Sequence, residues 1–326
     1  MMNKLDIKEA VALLIEPKST LILCHRNPDP DTLGSAFALK CVLETCGSQV
    51  EVACCDMPAK KLGFLTGGSS LEYKERDYQR YVAVDVASPT QLGELEFLAD
   101  RVELTIDHHK MCTRFSDYYE NFLASNAENI YDIAKNMGII DTLPSVFFEC
   151  IYAGMSGDTG CFRFSNATPE TLKTASEVVS HGIDHAEINR IIFDSKTIEE
   201  IRAQRLTYEH MELCFDGKLS LVLFTNEMKE KNGICDADIG DIVSYLRSVD
   251  GVLVAVSLKE TKEKGKYSLS SRANTEIDVS AVCQKIGGGG HTRAAGATLY
   301  AENGQSAVAM VKELFGQAIK EYEARG

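Results

Sequence analysis

Short runs of consecutive apolar residues recur through the first half of the chain, each followed by a polar or glycine-bearing turn and then by a helical pattern. Residues 19–25, 49–55, 80–85 and 101–107 read as strands, and 32–46, 126–137 and 144–155 as helices. Strands apolar on both faces, alternating with helices, predict a mostly parallel, doubly wound sheet. The stretch 185–212 is charged, keeps a helical period and lacks Gly and Pro, so it reads as a connecting helix. Beyond it, strands at 219–225, 252–258 and 267–272 and helices at 236–248, 279–285 and 305–324 describe a smaller unit. The expected class is α/β: a doubly wound domain at 1–185, a helical linker at 186–215 and a smaller C-terminal α/β domain at 216–326.

A length of 326 residues suits two domains. With 44% hydrophobic and 25% charged residues, the composition is that of an ordinary globular protein. The longest apolar runs, such as 21–24 and 252–256, are far too short to span a bilayer. Residues 1–9 lack the basic-then-apolar order of a signal peptide, so no membrane partner and a cytoplasmic location are expected. The 11 cysteines include no CxxC pair. Cys24, Cys54, Cys55, Cys150 and Cys161 sit inside apolar runs and read as buried thiols, which argues against a disulfide framework.

The net charge of -14 changes the picture of partners. Residues 1–215 carry 20 Lys+Arg against 33 Asp+Glu, and residues 216–326 carry 14 against 15. An acidic surface repels long polyanions, so no long duplex nucleic acid is expected; a nucleic-acid ligand would be short and held locally.

Acid and histidine clusters sit at strand ends in the first lobe. His25 opens HRNPDPDTLGSA, with Asp29 and Asp31 close behind; Asp85 ends YVAVD; Asp107, His108 and His109 end the next strand; Asp158 lies in SGDTG. The carboxyl ends of parallel strands converge on one crevice. An Asp at a strand end is often a helix cap, and Asp31 is placed to cap the helix from Thr32. The joint pattern is harder to assign to capping. His25, Asp29, Asp31, Asp85, His108 and Asp158 suit two divalent ions if one carboxylate bridges, and such a pair can clamp the oxygens of an in-line phosphoryl displacement. Mixed His/carboxylate donors favour Mn²⁺ over Mg²⁺. In the second lobe, Gly287, Gly288, Gly289 and Gly290 precede His291. Such a run permits unusual dihedrals and close backbone approach, as an anion-binding nest needs, and His291, Arg293 and Arg272 offer charge to a phosphate.

The motifs HRNPDPDTLGSA, VAVDVASP, Asp107-His108-His109 and SGDTG together resemble those of the DHH phosphoesterases. GGGGHTRAAGA at 287–297 is similar to the signature of their DHH-associated C-terminal domain, and size and pairing look most like the nanoRNase/pAp phosphatase branch. That resemblance implies a Mn²⁺-dependent enzyme that cuts very short RNAs to mononucleotides or converts pAp (adenosine 3′,5′-bisphosphate) to AMP, and a homodimer. It implies one manganese on His25, Asp29 and Asp85 and another on Asp31, Asp85, His108 and Asp158. It places His109 at the reacting phosphate, Asp107 behind the histidines, and Arg272, Gly288, Gly289, Gly290 and His291 on the nucleotide.

The chain departs from the family's usual pattern at several positions. Pro30 stands for a common Gly, Thr32 for Ala, Gly157 for Thr and Lys110 for Pro, and Asn126 falls in a stretch usually rich in Ser and Thr. None removes a ligand. His181, His185 and His210 read as structural or solvated, Glu128 as a helix-surface residue, and Arg163 and Asn166 as secondary candidates for base or phosphate contact. Two other functions fit the motifs: a hydrolase of linear or cyclic dinucleotides, and a non-catalytic nucleotide-binding regulator.

Overall fold

The computed structural model describes residues 2–240 and 242–324. The chain divides into two units, Met1–Ser195 and Lys196–Gly326. In the first, the order is α1 (Ile7–Ile15), β1 (Ser19–Leu23), α2 (Pro30–Thr45), β2 (Gln49–Ala53), α3 (Gly63–Thr66), β3 (Arg80–Val84), a 3-10 segment (Pro89–Arg101), β4 (Leu104–Asp107), β5 (Asp117–Glu120), α4 (Asn126–Met137), α5 (Ser145–Asp158), α6 (Pro169–Val179) and α7 (His185–Asn189).

The five strands are parallel, in the order β2-β1-β3-β4-β5. Side chains alternate across the sheet. Ile22, Val52, Val82, Val84 and Ile106 pack with residues of α2, α4 and α5. Leu21, Leu23, Ala53 and Ala83 pack against Leu92, Leu95 and Leu98 of the 3-10 segment. Both faces are covered, which is why the strands read as unbroken apolar runs. Chain order reverses about β1, so the crevice outside the carboxyl ends of β1 and β3 is where a ligand site belongs in such a sheet.

Local chemistry sets how α2 begins. The Asp29 carboxylate accepts the N–H groups of Asp31 at 2.9 Å and Thr32 at 3.0 Å. Pro30 takes the first helical position, where its missing N–H costs nothing. Asp29, rather than Asp31, is therefore the cap. Further along, a Cβ on Gly34 would come within 2.4 Å of the Cys150 carbonyl oxygen, so glycine is what lets α2 and α5 meet.

The second unit contains α8 (Ile198–His210), β6 (Glu212–Cys214), β7 (Leu219–Phe224), α9 (Asn226–Asn232), α10 (Ile242–Arg247), β8 (Val254–Glu260), β9 (Lys266–Ala273), α11 (Val279–Gln284), β10 (Gly289–His291), β11 (Ala294–Tyr300) and α12 (Gly304–Glu323). Its sheet has six strands in the order β10-β11-β9-β8-β7-β6, and only β7 and β8 pair in parallel. Val311, Phe315 and Ile319 of α12 close one face over Leu221, Val256 and Leu269.

The single connecting helix expected at 185–212 is interrupted. After α7 the chain makes a π turn at Arg190–Asp194 and leaves helical geometry at Ser195. Thr197 then starts α8 with a capping box: its hydroxyl takes the Glu200 N–H and Glu200 returns a bond to the Thr197 N–H. The end of the stretch is a strand, β6, paired with β7. Of the helix expected at 236–248, only Ile242–Arg247 is helical among the described residues. All eleven cysteines are free; Cys24, Cys54 and Cys150 are buried, whereas Cys55 and Cys161 are only partly so. Among the described residues, no helix is long and apolar enough to cross a membrane.

Candidate metal centre

The first unit gathers seven histidine and aspartate side chains into three overlapping groups: His25 with Asp29 and Asp85, Asp85 with His108 and His109, and Asp31 with His108 and Asp158. In each, the donor atoms lie within 4.8 Å of one another. Asp85 and His108 each belong to two groups.

His25 follows β1, Asp85 follows β3, and Asp107, His108 and His109 stand at the end of β4. Asp29 and Asp31 come from the start of α2, and Asp158 is the last residue of α5. His25 Nε2 lies 3.7 Å from Asp29 and 3.5 Å from Asp85. His108 Nε2 lies 3.4 Å from Asp85, 3.4 Å from Asp158 and 3.7 Å from Asp31. These separations are long for hydrogen bonds. They match the spacing of two donors on one ion: bonds of about 2.1 Å in tetrahedral array put donors about 3.4 Å apart.

Both histidines are also held in the tautomer that ligation requires. The His25 Nδ1–H donates to the Arg26 carbonyl at 2.8 Å, and the His108 Nδ1–H to the Leu123 carbonyl at 3.2 Å. Each Nε2 is left facing the carboxylates, where loss of its proton frees a lone pair for ligation. Asp85 is 2% exposed and its Oδ1 has no hydrogen-bond partner. It also holds a positive φ of 58°, a conformation that aspartate tolerates better than most residues. A buried, unpartnered carboxylate oxygen amid imidazole and carboxylate donors fits a divalent cation.

Electrostatics say the same. Burial pushes the Asp31 pKa up to about 7, helped by the Asp85 charge and opposed by His108. Burial and the charges of Asp31 and Asp85 raise Asp158 well above the usual carboxylate range. Burial alone would raise Asp85 too, but the neighbouring His108 and His25 override it and lower the value. The histidines respond in kind. Burial works to lower His25, yet Asp29 and Asp85 raise it to about 11; His108 reaches about 11 through Asp85 and Asp31. The cluster thus holds more negative charge than its own cations neutralise.

Several supports had no signal in the sequence. The N-terminus of α4 points at Asp31, whose two oxygens accept the Asn126 N–H at 2.7 Å and the Ala127 N–H at 2.9 Å. A Cβ on Gly154 would meet Asp31 Oδ1 at 2.7 Å, so this close approach depends on glycine. The Asn129 amide donates to the Asp107 carbonyl at 3.1 Å. Glu128, expected on the helix surface, is 2% exposed and completes a capping box with Ser125. Its Ser-x-x-Glu spacing was the available signal. Asn166 donates to the Asp158 carbonyl at 3.1 Å and Arg163 to that of Gly160 at 2.6 Å. His181 stacks on Phe148 at 3.7 Å between ring centroids.

Asp107 is fully buried and belongs to none of the three donor groups, but supports two of their histidines. Its Oδ1 takes the backbone N–H groups of His108 at 2.9 Å and His109 at 3.3 Å, and the His109 Nδ1–H at 2.7 Å. In the second unit, the register pairs Ala294 with Arg272 on one side and with His291 on the other. Arg272 and His291 therefore share one cross-strand row, separated by an alanine. Gly287 and Gly290 have φ of 77° and 142°. A Cβ on Gly288 would come within 2.3 Å of the Gly296 oxygen, whereas Gly289 has open space.

Residues 19–155 match the model of the DHH family, N-terminal domain, and residues 221–317 match the DHHA1 domain. A bifunctional oligoribonuclease and PAP phosphatase of Thermus thermophilus is 30% identical over 291 residues, spanning 85% of this chain and 83% of that protein. The chain belongs to the DHH family. A bifunctional oligoribonuclease and PAP phosphatase of Bacillus subtilis is 25% identical over 286 residues, covering 86% of this chain and 89% of that one. Among solved structures, an exopolyphosphatase-related protein from Bacteroides fragilis has the same fold, with a TM-score of 0.88 over 98% of this chain and 96% of its own at 22% identity. As a DHH-family member the chain is a hydrolytic enzyme, a phosphoesterase, built as a parallel-sheet unit followed by a mixed-sheet unit.

Proposed function

We propose that this DHH phosphoesterase hydrolyses short oligonucleotides to mononucleotides and pAp to AMP, using two divalent ions, with Mn²⁺ the best match to its donors. The observation that carries the reading is Asp85: a buried carboxylate with an unpartnered oxygen, shared between a His25 group and a His108 group. Relatives named as oligoribonucleases and PAP phosphatases over most of their length support the substrate class. The excess of acidic residues in the first 215 positions supports a short ligand over a long one.

In this reading His25, Asp29 and Asp85 hold one ion, and Asp31, Asp85, His108 and Asp158 the other. Bound divalent ions supply Lewis-acid stabilisation of charge that develops on the phosphoryl oxygens. Asp107 orients His109 through the Nδ1–H, which leaves Nε2 to hand a proton to the leaving oxygen. Arg272 and His291, with the backbone of Gly288, Gly289 and Gly290, bind phosphate of the nucleotide. Asp31 keeps its geometry because two main-chain N–H groups fix it, so the acid cluster does not collapse onto its own histidines.

The test is direct. Purified protein is incubated with Mn²⁺ and either pAp or a 5′-phosphorylated RNA dinucleotide, and products are resolved by chromatography beside pyrophosphate and a 20-nucleotide strand. Release of AMP or mononucleotides from the short substrates is the expected result. Cleavage of pyrophosphate or the long strand alone would refute the substrate assignment.

A further inference from the structure

Asp107 has a second oxygen. While Oδ1 serves His109, Oδ2 lies 3.4 Å from the Arg114 guanidinium. Arg114 sits on the loop between β4 and β5, and that loop is tied down by the Thr113 N–H donating to the Ala87 carbonyl at 2.7 Å. The guanidinium also pairs with Glu120 and lies 4.2 Å from the centroid of the Tyr118 ring. Glu120 in turn receives Lys4 at 3.1 Å. Lys4 is brought there because the N-terminal segment runs beside β5: Leu5 N–H donates to the Tyr118 carbonyl, and Tyr118 N–H to that of Asn3. A line of alternating charge thus runs Lys4, Glu120, Arg114, Asp107, His109, from an exposed lysine through a buried aspartate to a half-buried histidine.

We infer that Arg114 is a positioning residue for His109, acting through Asp107. The inference rests on the reading of His109 as the group that serves the leaving oxygen. Asp107 is wholly buried, and a buried carboxylate needs compensation at both oxygens. Three donors surround Oδ1, and at Oδ2 the charge partner is Arg114. With Arg114 in place the carboxylate is held at both oxygens and cannot rotate, so the His109 ring keeps Nδ1 inward and Nε2 outward. Tyr118 and Glu120 fix the guanidinium plane in the same way.

A double-mutant cycle tests this, because coupling separates action through His109 from general support of the fold. Turnover of pAp with Mn²⁺ is measured for wild type, Arg114→Met, His109→Ala and the double variant. Arg114→Met is expected to lower kcat by about 10–100-fold with KM nearly unchanged, the usual scale for a residue orienting a catalytic neighbour. In the His109→Ala background the same change should have little further effect, and Arg114→Lys should recover part of the loss. Equal losses in both backgrounds would make Arg114 a fold staple and overturn the inference. If Arg114→Met does not fold, Arg114→Gln takes its place in the cycle. A second readout needs no substrate: the His109 Nδ1-bound proton in metal-free protein should give a hydrogen-bonded NMR signal that Arg114→Gln weakens. An unchanged signal would overturn the inference, whereas an inactive wild type with a changed signal would sink only the reading of the reaction.

Discussion

Pro30 lies directly against Gly157: a Cβ on Gly157 would come within 2.8 Å of the Pro30 Cβ. Both residues depart from the family's usual choices, Gly at the first position and Thr at the second. The two positions share one space. The proline ring that starts α2 occupies the space a threonine on α5 would need, next to Asp29, Asp31 and Asp158.

Gly157→Thr alone should therefore destabilise the fold by about 1–3 kcal/mol, the usual cost of overpacking. Combined with Pro30→Gly it should regain part of that loss. Urea unfolding of the two single variants and the double variant measures the coupling; strictly additive effects would show that the contact carries none.

Mn²⁺ should raise the melting temperature of the wild-type protein, because an ion that binds only the folded state stabilises it. Asp85→Asn should abolish most of that rise, and lower kcat by about 100-fold or more if outer-shell effects set the floor. A full Mn²⁺-dependent shift in Asp85→Asn would remove Asp85 from the ligand set.

Metal uptake should also release protons. In the metal-free protein His25 and His108 are raised to about 11 by their carboxylate neighbours, so both are protonated at pH 7 and must lose a proton to ligate. The sign is fixed: apparent Mn²⁺ affinity rises with pH between about 6 and 9. Titration calorimetry in buffers of different ionisation enthalpy reads the protons released, and a pH-independent affinity would contradict it.

Gly288→Ala should raise KM for pAp while leaving the Mn²⁺-dependent melting shift of the first unit intact. The added methyl would meet the Gly296 oxygen at 2.3 Å and the Ala297 Cβ at 2.5 Å, so β10 has to move away from β11. Gly289→Ala, with open space around it, is the matched control for strain.

Arg80 is 1% exposed, and its guanidinium donates to the carbonyls of Leu13 at 2.6 Å, Leu14 at 3.2 Å and Glu16 at 3.3 Å, closing the end of α1. Arg80→Met should cost about 3 kcal/mol in chemical denaturation, since the carbonyls and the hydroxyls of Thr20 and Ser48 lose their shared donor.

The sequence placed β1, β3 and α4 well because their signals are local: unbroken apolar runs in the strands and a helical period in α4, although the Ser-x-x-Glu start of that helix went unread. It missed β5, whose residues Asp117 to Glu120 carry no apolar run. It missed β11, whose Ala and Gly residues have low strand propensity and pair only because β9 lies beside them. His25, Asp85 and His108 were legible as strand-end donors because a parallel sheet points its carboxyl ends one way. The roles of Arg80, Arg114 and the α4 N-terminus were not, because each depends on partners far away in sequence that periodicity does not encode.

Asp31 takes its two N–H donors from residues 95 and 96 positions further along the chain. That separation orders events during synthesis on the ribosome. An emerging chain that has made α2, β2 and β3 already holds His25, Asp29, Asp31 and Asp85, yet has neither the α4 amides nor His108 and Asp158. Such a nascent chain has half a site and an uncompensated buried acid. The last of the donors, Asp158, therefore joins only when α5 has left the exit tunnel, after β5 has already completed the sheet.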